Sequence, residues 1–341
     1  MGYRYIGSKL RIVDEIIKIV GAPKNNGFFI DGFSGTGCVA QQAAANGWKV
    51  KINDLLLCAV VMTTAGLLSS KDVFFRPFGG YKKAIEELNH VRPSKGYFWK
   101  EYSPASKQFE RPERKYFSEA NAKKIDGICN TIHKWHNEGL ITQKEFFLLL
   151  ADLISSTNEI ANIAGTYGCF LSKWTEQSTG KILLNPRELK SKKSTFEISN
   201  RNVFELESSF EDTIYFDPPY TKRQYASYYH ILESIVQGDR PEVTGVAGLR
   251  PWREKSSVFC YKTKAHNALV ELISKQKAGR VILSYSDEGH VNLNKLSESL
   301  QSFGTVKVIE LKQINRYTPN KAALSNNSIV KEYLLDFKRN V

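Results

Sequence analysis

The sequence has few cysteines and no paired cysteine motif. Five cysteines lie far apart along the 341 residues, and no two form a C-x-x-C pair; they are Cys38, Cys58, Cys129, Cys169 and Cys260. An odd, dispersed set argues against a disulfide framework and against a structural zinc site. The pattern is typical of buried free thiols in a reducing cytosol.

Long apolar runs are also missing. The first residues, MGYRYIGSKLRIVDE, contain no apolar signal core, and no run in the chain approaches the length of a membrane span. Internal repeats and low-complexity segments are absent as well. We therefore expect a cytosolic, soluble protein without a membrane partner.

The balance of charge is the first positive signal. Lys and Arg number 48 and Asp and Glu number 35, which gives a formal net charge of +13, and 42% of the residues are hydrophobic. The hydrophobic content suffices for a substantial core, and the basic excess favours a polyanionic partner. Nucleic acid is a better candidate than a membrane because no amphipathic basic helix stands out. A solvated basic surface is the plain alternative.

The order of apolar runs and turns predicts the architecture. An apolar run at residues 28–30, a glycine turn, a helix and the strand "WKVKIND" form a βαβ unit, which opens a parallel, doubly wound sheet. The alternation resumes near residue 196, and "TVKVIEL" and "SIVKEYLLDF" are expected to pair as a terminal antiparallel hairpin. We expect residues 1–71 and 192–341 to form this α/β sheet domain. Residues 72–191, which are rich in aromatic side chains, charge and long helices, form an inserted, mainly helical subdomain.

The glycine turn predicts a cofactor site. Glycines at a strand-to-helix turn let the backbone approach a ligand closely. The turn "DGFSGTG" consists of Asp31, Gly32, Phe33, Ser34, Gly35, Thr36 and Gly37. Its order departs from the dinucleotide pattern G-x-G-x-x-G, and the leading acid would attract a cationic amino acid such as that of S-adenosylmethionine. Asp54 ends the next strand, where a carboxylate can accept both hydroxyls of a ribose. An ordinary tight turn is the alternative.

The motif "DPPY" is the more specific signal, and it consists of Asp217, Pro218, Pro219 and Tyr220. It follows an apolar strand, and ligands of open α/β sheets bind at the carboxyl ends of strands. Asp217 can accept one N–H of an exocyclic amine and the Pro218 carbonyl the other, while the prolines fix the backbone and Tyr220 offers a stacking face. Positioning and electrostatics then suffice without a metal. A proline-stiffened loop with Tyr220 in the core is the alternative.

These stretches resemble the D12 class N6-adenine DNA methyltransferases, the α group that includes Dam-like and restriction–modification enzymes. "YIGSK" is similar to the N-terminal motif of the family, "DGFSGTG" to its cofactor motif and "DPPY" to its catalytic motif. The resemblance implies a Rossmann-like methyltransferase sheet in which Tyr5, Lys9, Asp54 and Asp217 lie at the cofactor. The family often has proline where Gly32 stands, and commonly an acid where Asn202 stands, although an asparagine can still hydrogen-bond an adenine edge.

The resemblance also implies a function. It predicts sequence-specific transfer of a methyl group from S-adenosylmethionine to N6 of an adenine that is flipped out of double-stranded DNA. It implies a prokaryotic, cytoplasmic enzyme acting on nucleoid DNA, and it admits a cognate restriction endonuclease as a partner.

Three stretches are expected to contact DNA: the basic, aromatic-rich part of the insertion, the segment after DPPY, and the basic segment 248–264. Lys and Arg side chains would neutralise phosphates, and tyrosines near DPPY would hold the extruded base. The candidates are Lys107, Arg111, Arg114, Lys115, Arg223, Tyr225, Tyr228, Arg250, Arg253 and Lys255. For the aromatic residues, packing within the protein is the alternative.

Other functions remain open at this point. Cytosine N4 or an RNA adenine could be the acceptor, although cytosine-N4 enzymes usually carry Ser at the position of Asp217. A non-catalytic DNA-binding protein that keeps the fold is a second alternative, and the intact DPPY argues against it. Methylation of a protein glutamine would more naturally carry Asn before the prolines.

Overall fold

A computed structural model describes residues 6–311, 314–315 and 329–340 of the chain. The described residues divide into two compact units, which we call the sheet unit and the helical unit. The sheet unit contains Gly7–Thr63, Ser194–Tyr225 and the described residues from Lys255 onward, and the helical unit contains Ile6, Thr64–Lys193 and Ala226–Glu254. The sequence boundaries at residues 71 and 192 lie close to this division, but residues 64–71 and 226–254 group with the helical unit.

The sheet unit is built on one seven-stranded sheet. The strands of the chain are β1 (Phe28–Asp31), β2 (Lys49–Asn53), β3 (Phe196–Ser199), β4 (Thr213–Phe216), β5 (Arg280–Ser286), β6 (Gly304–Glu310), β7 (Ile314–Asn315), β8 (Ile329–Val330) and β9 (Glu332–Arg339). The order in the large sheet is β3-β2-β1-β4-β5-β9-β6, while β7 and β8 pair separately. The first five strands are parallel, and β9 runs antiparallel between β5 and β6. This confirms the expected mostly parallel sheet with an antiparallel C-terminal hairpin.

Twelve α-helices lie within the described residues. They are α1 (Val13–Val20), α2 (Cys38–Ala45), α3 (Leu57–Leu67), α4 (Tyr81–His90), α5 (Tyr97–Tyr102), α6 (Glu119–Asn137), α7 (Gln143–Ile160), α8 (Glu176–Thr179), α9 (Tyr225–Tyr228), α10 (His230–Gln237), α11 (Lys262–Lys275) and α12 (Leu293–Leu300). No helix within the described ranges is long and apolar enough to cross a membrane.

The core of the sheet unit lies against the central strands. Ile214 and Phe216 of β4 are fully buried and join a cluster with apolar residues of β5, α11 and α12. All four residues of β4 are buried, as expected for a central parallel strand. Arg280 at the start of β5 donates to the carbonyls of Ile19 and Val20 and to the Asp336 carboxylate. These bonds satisfy carbonyls that the end of α1 leaves open.

The helical unit follows its local capping signals. Thr142 and Glu145 form a capping box at the start of α7, and the Ser118 hydroxyl accepts from a backbone N–H at the start of α6. The Asp126 carboxylate of α6 accepts backbone N–H groups of Gly96, Phe98 and Trp99. These bonds hold the start of α5 against α6.

The sheet order places the site. The chain moves outward from β1 to β2 and β3, and then returns to β4 on the opposite side of β1. The carboxyl ends of β1 and β4 therefore flank a topological switch point, where open α/β sheets bind their ligands. Asp31 is the last residue of β1 and pairs in register with Tyr215, and Asp217 directly follows β4.

Candidate active site

The glycine turn between β1 and α2 is closely packed. Gly35 and Gly37 adopt positive φ angles of 51° and 78°. A Cβ at Gly37 would lie 2.7 Å from the Thr63 side chain, and one at Gly32 would lie 2.6 Å from the Phe216 ring. Both positions therefore require glycine, because a side chain would displace the turn.

Asp54 holds the turn from the end of β2. Its Oδ2 accepts from the Gly35 N–H at 3.0 Å and its Oδ1 from the Leu56 N–H at 2.9 Å. Both carboxylate oxygens therefore point to backbone N–H groups of the turn and of the chain after β2. The Ser34 N–H donates to the Asn53 carbonyl at 2.9 Å, and Thr36 lies 3.4 Å from Ser8 through their hydroxyl oxygens.

Asp31 is a buried acid with an unused acceptor. Its side chain is 1% exposed, and Oδ1 has no hydrogen-bond partner among the described residues. Burial raises the pKa of Asp31 well above its ordinary value, and the charges of Asp217 and Asp54 raise it further. The nearby Ser34 hydroxyl is buried and unpaired as well. Because buried charges are normally paired, this corner is suited to a ligand with a positive charge.

Asp217 lies in the second acidic corner and faces a buried lysine. Its Oδ1 is 3.4 Å from the Lys9 Nζ, and Lys9 is 4% exposed. Lys9 also donates to Glu332 Oε2 at 2.9 Å. Burial raises the pKa of Asp217 to about 7, with Lys9 acting against this and Glu332 adding to it. Burial would lower the pKa of Lys9, but Asp217, Tyr220 and Glu332 outweigh it and raise that pKa.

The rest of the DPPY motif is packed around this ion group. Pro218 is buried, and Pro219 and Tyr220 are partly buried. The Tyr220 ring lies 5.3 Å from the Lys9 ammonium and 5.5 Å from the Tyr285 ring. Its carbonyl accepts from the His290 N–H at 3.1 Å. The ring and the carbonyl of Tyr220 thus both have partners within the sheet unit, which hold the loop next to Asp217.

Aromatic residues line the glycine turn on its apolar side. Phe33 packs edge-on against Phe259 at 5.7 Å, and Phe204 stacks on Phe259 at the same distance. Asn202 starts the turn after β3, is exposed, and accepts the Phe204 N–H through its side chain at 3.2 Å. The sequence patterns pointed to Phe33 and Asn202 but missed Phe204, Phe259, Tyr285 and Glu332. Phe204, Phe259 and Glu332 lie in short turns or a distant strand and carry no local motif.

The segment after DPPY is fastened within the sheet unit. Gln224 and Ser257 exchange two hydrogen bonds, of 3.1 Å and 2.8 Å. The Arg223 carbonyl accepts from the Cys260 thiol at 3.3 Å, while the Arg223 side chain is exposed. A Cβ on Gly7 would lie 2.7 Å from the Tyr225 hydroxyl oxygen. This segment brings Arg223 and Tyr225 next to residues 255–260, which include Lys255.

The other expected DNA contacts lie in the helical unit. Lys107 and Arg253 are exposed, Lys115 is 3.7 Å from Glu113, and Arg250 is 2.7 Å from Asp239. The Tyr228 carbonyl accepts from the Tyr167 N–H at 2.9 Å. These side chains are partly or fully accessible, so they stay as predicted contacts.

Arg114 has a different position from the one expected. It is 2% exposed, and its guanidinium donates to the Glu101 side chain and to the carbonyls of Gly245 and Val246. Arg111 also pairs with Glu101. A phosphate could reach Arg114 only by breaking these bonds, so Arg114 belongs to the internal structure of the helical unit. Tyr5 lies outside the described residues.

The described ranges give no indication of a metal centre. No group of three or more His, Cys, Asp or Glu side chains there is arranged to hold a metal ion.

The mostly parallel sheet, with its acid-ended strands and antiparallel C-terminal pair, is a Rossmann-like methyltransferase fold. The family model of the D12 class N6 adenine-specific DNA methyltransferases matches residues 5–314. The chain therefore belongs to this family.

Named relatives are consistent with the family. Over 309 residues the chain is 34% identical to the type II methyltransferase M.FokI of Planomicrobium okeanokoites, covering 88% of this chain and 47% of that protein. It is 30% identical over 344 residues to the modification methylase StsI of Streptococcus sanguinis, covering 98% of this chain and 52% of that protein. It is 27% identical to the type II methyltransferase M.NlaIII of Neisseria lactamica, and 95% of each chain is covered. The chain thus spans about half the length of the first two relatives.

Proposed function

We propose that the protein transfers a methyl group from S-adenosylmethionine to N6 of a flipped adenine within a specific sequence of duplex DNA. The observation that carries the proposal is the pair of acidic corners at the switch point. Asp31 has an unpaired buried oxygen, and Asp217 is a buried carboxylate beside Lys9 in the DPPY loop. One corner suits a cationic ligand and the other an amine donor.

The glycine turn and its acids fit the amino acid part of the cofactor. Asp31 would pair with its ammonium, and Asp54 at the turn would accept ribose hydroxyls. Phe33 and Phe204 offer apolar surface beside Asn202 for a purine. When bound, the cofactor supplies an electrophilic methyl group on a cationic sulfur.

The chain itself would orient the acceptor amine and manage its protons. Asp217 would accept one N–H of the adenine amine and the Pro218 carbonyl the other, which directs the nitrogen lone pair toward the methyl group. Tyr220 would stack on the base. A carboxyl with a pKa of about 7 can also take up the proton that the amine loses after transfer, and release it to solvent.

Labelled transfer tests this function directly. Purified protein with tritium-labelled S-adenosylmethionine and duplex DNA should label the DNA, and mass spectrometry of the nucleosides should show N6-methyladenine. N4-methylcytosine without N6-methyladenine would refute the adenine assignment. Equal background transfer by the wild type and Asp217→Ala would refute catalysis.

The basic side chains that remain accessible should govern DNA affinity. Phosphate contacts make binding weaker as salt rises, and each lost contact reduces the slope of log K against log salt by roughly one. We expect Lys107→Ala and Arg253→Ala to weaken binding of all duplexes in this way. Lys277→Ala is a matched control, since Lys277 is an exposed lysine that is not among the proposed contacts.

The setting of the enzyme is also part of the proposal. Several relatives are named type II methyltransferases or modification methylases. We propose a prokaryotic cytoplasmic enzyme whose target site is shared with a cognate restriction endonuclease. Sequencing of methylated DNA from an expressing host would define that site, and resistance of the DNA to a candidate endonuclease would test the partnership.

A further inference from the structure

Lys9 is held between two carboxylates that come from distant parts of the chain. Its Nζ is 2.9 Å from Glu332 Oε2 and 3.4 Å from Asp217 Oδ1. The side chain of Lys9 is 4% exposed, that of Glu332 10% and that of Asp217 16%. The group is therefore largely screened from water, so the charges interact strongly.

The antiparallel strand explains why Glu332 is at this place. Glu332 is the first residue of β9 and pairs in register with Ser286, the last residue of β5. Because β9 runs against the parallel strands, its beginning lies at the edge where those strands end. The hairpin thus contributes an acid to the edge that carries Asp217, one strand beyond β5.

The two acids share one positive charge. Lys9 alone opposite Asp217 would form a simple ion pair, in which the carboxylate is a weaker acceptor for another donor. Glu332 takes the shorter of the two contacts, at 2.9 Å against 3.4 Å. Asp217 is left with the longer contact and with more capacity to accept hydrogens from a substrate.

Other titratable groups also face this corner and act on Asp217 or its neighbours. They are Asp31 on β1, Cys38 on α2, Tyr215 on β4, Tyr220 in the DPPY loop and Glu288 after β5. Glu332 accepts a hydrogen bond from the Lys9 ammonium itself, at 2.9 Å.

We propose that Glu332 is a positioning residue: it holds Lys9 at a fixed distance from Asp217 and divides the lysine charge, so that Asp217 stays a strong acceptor for the target amine. The inference rests on the proposed function, because it assigns Asp217 to the amine. It adds a role for the C-terminal hairpin, which neither DPPY nor the glycine turn predicts.

The Glu332→Gln variant removes the negative charge of the side chain but keeps nearly the same shape. The amide oxygen can still accept from Lys9, but the negative charge is gone, so Lys9 acts on Asp217 alone. Burial and Glu332 raise the pKa of Asp217 while Lys9 lowers it, so this change lowers that pKa. On the acid side of its pH profile, kcat/KM for DNA should begin to fall at a pH roughly one unit lower than in the wild type, a typical effect of one nearby charge. We call this part of the profile the acid limb. The maximal rate should fall severalfold.

The Glu332→Asp variant keeps the negative charge but moves the carboxylate. The negative charge stays, but the carboxylate is one methylene further from Lys9. The acid limb should remain where it is while the maximal rate falls. Glu310→Gln is the matched control in the same hairpin, since Glu310 lies opposite Tyr333 and pairs with Lys331 at 3.2 Å on the surface. Glu310→Gln should change neither the acid limb of the pH profile nor the maximal rate.

A readout independent of turnover completes the test. Carbon-13 NMR of protein labelled at aspartate carboxyls, with Asp217→Asn to assign the signal, should show Asp217 titrating at lower pH in Glu332→Gln than in the wild type. Isothermal titration with S-adenosylhomocysteine should show that each variant still folds and binds the product.

The outcomes separate the inference from the function on which it rests. If the wild type methylates adenine but Glu332→Gln shifts neither the acid limb nor the carbon-13 titration, the role of Glu332 is refuted. If the wild type methylates no adenine, the proposed function fails, and an unshifted carbon-13 titration would refute the charge division separately.

Discussion

The acids at the ends of β1 and β4 occupy neighbouring positions at the same edge of the sheet, but they differ in exposure and in their charged partners. Asp31 is 1% exposed and has a carboxylate oxygen without a partner in the described residues. Asp217 faces the Lys9 ammonium, which a second acid also holds. Burial raises the pKa of both acids. Among the described residues, no cation pairs with the Asp31 carboxylate, whereas Lys9 pairs with Asp217.

This difference indicates a division of labour. A buried carboxylate without a counter-ion costs free energy until a cationic ligand arrives, and the ligand then gains the interaction. A carboxylate with an internal cation is stabilised before any ligand binds and keeps a defined orientation. We therefore expect Asp31 to govern binding of the cofactor and Asp217 to govern the rate of transfer.

Asp217→Asn should have the largest effect. An asparagine cannot carry the negative charge that draws electron density onto the nitrogen of the amine. Loss of such a group typically lowers the rate by a factor of about 10²–10⁴. Single-turnover transfer should fall by this amount, whereas the Kd for S-adenosylhomocysteine should change only severalfold. A large loss of affinity with an unchanged rate would reverse the roles of the two corners.

Asp31→Asn should act mainly on affinity. Removal of one partner of a buried charge pair costs about 2 kcal/mol or more, so the Kd for S-adenosylhomocysteine should rise by roughly 30-fold or more. Isothermal titration measures this, and the rate at saturating cofactor should fall much less. Unchanged affinity would show that the ammonium binds elsewhere.

The same substitution should stabilise the free protein. The pKa of Asp31 is raised in the folded state, so the folded protein binds its proton more tightly than the unfolded chain does. The wild type therefore loses stability as pH rises above the ordinary aspartate range, and Asn does not. Without ligand, Asp31→Asn should have the higher Tm at pH 8, with a smaller gap at pH 4.

The pH profile tests the Asp217 corner in the intact enzyme. With a pKa of about 7, Asp217 is protonated at lower pH and cannot accept the amine hydrogens. At saturating cofactor, which keeps Asp31 paired, kcat/KM for DNA should fall about tenfold per pH unit below 7. A profile that is flat from pH 6 to pH 8 would contradict this assignment.

The glycine turn beside Asp31 offers the smallest effect. Gly37 and Gly21 both have positive φ, but a Cβ meets Thr63 only at Gly37, while Gly21 faces open space. Gly21 has φ 81° and ψ −178°, a conformation essentially restricted to glycine, so Gly21→Ala should cost about 1–3 kcal/mol of unfolding free energy for the backbone strain alone. Gly37→Ala adds the collision with Thr63 to the strain of the left-handed region, and of the two variants it should be the one that weakens cofactor binding. Unchanged cofactor affinity in Gly37→Ala would show that the turn tolerates a side chain.

Local patterns sufficed for much of the fold. The βαβ unit and the terminal hairpin were predicted and are confirmed. Each depends on residues a few positions apart, or on the alternation within one strand. The two acidic corners follow from the same rule, because each lies where a predicted parallel strand ends.

Long-range partners were beyond those patterns. Glu332 lies more than a hundred residues after Asp217, in a strand whose apolar alternation predicts pairing but not its neighbour in the sheet. Arg114 looks like a surface cation in a basic stretch, and only the folded chain brings the carbonyls of residues 245–246 onto it. Burial of a charged side chain depends on such partners, which local composition does not specify.

Sequence alone determined the kind of chemistry, since the acid-led glycine turn and DPPY limit the backbone and the donor types wherever they fold. Tertiary structure decided the electrostatics. It left an Asp31 oxygen without a partner in the part of the chain that the structure describes and placed Lys9 between Asp217 and Glu332, because strand order and strand direction set which charges meet in a space with little water.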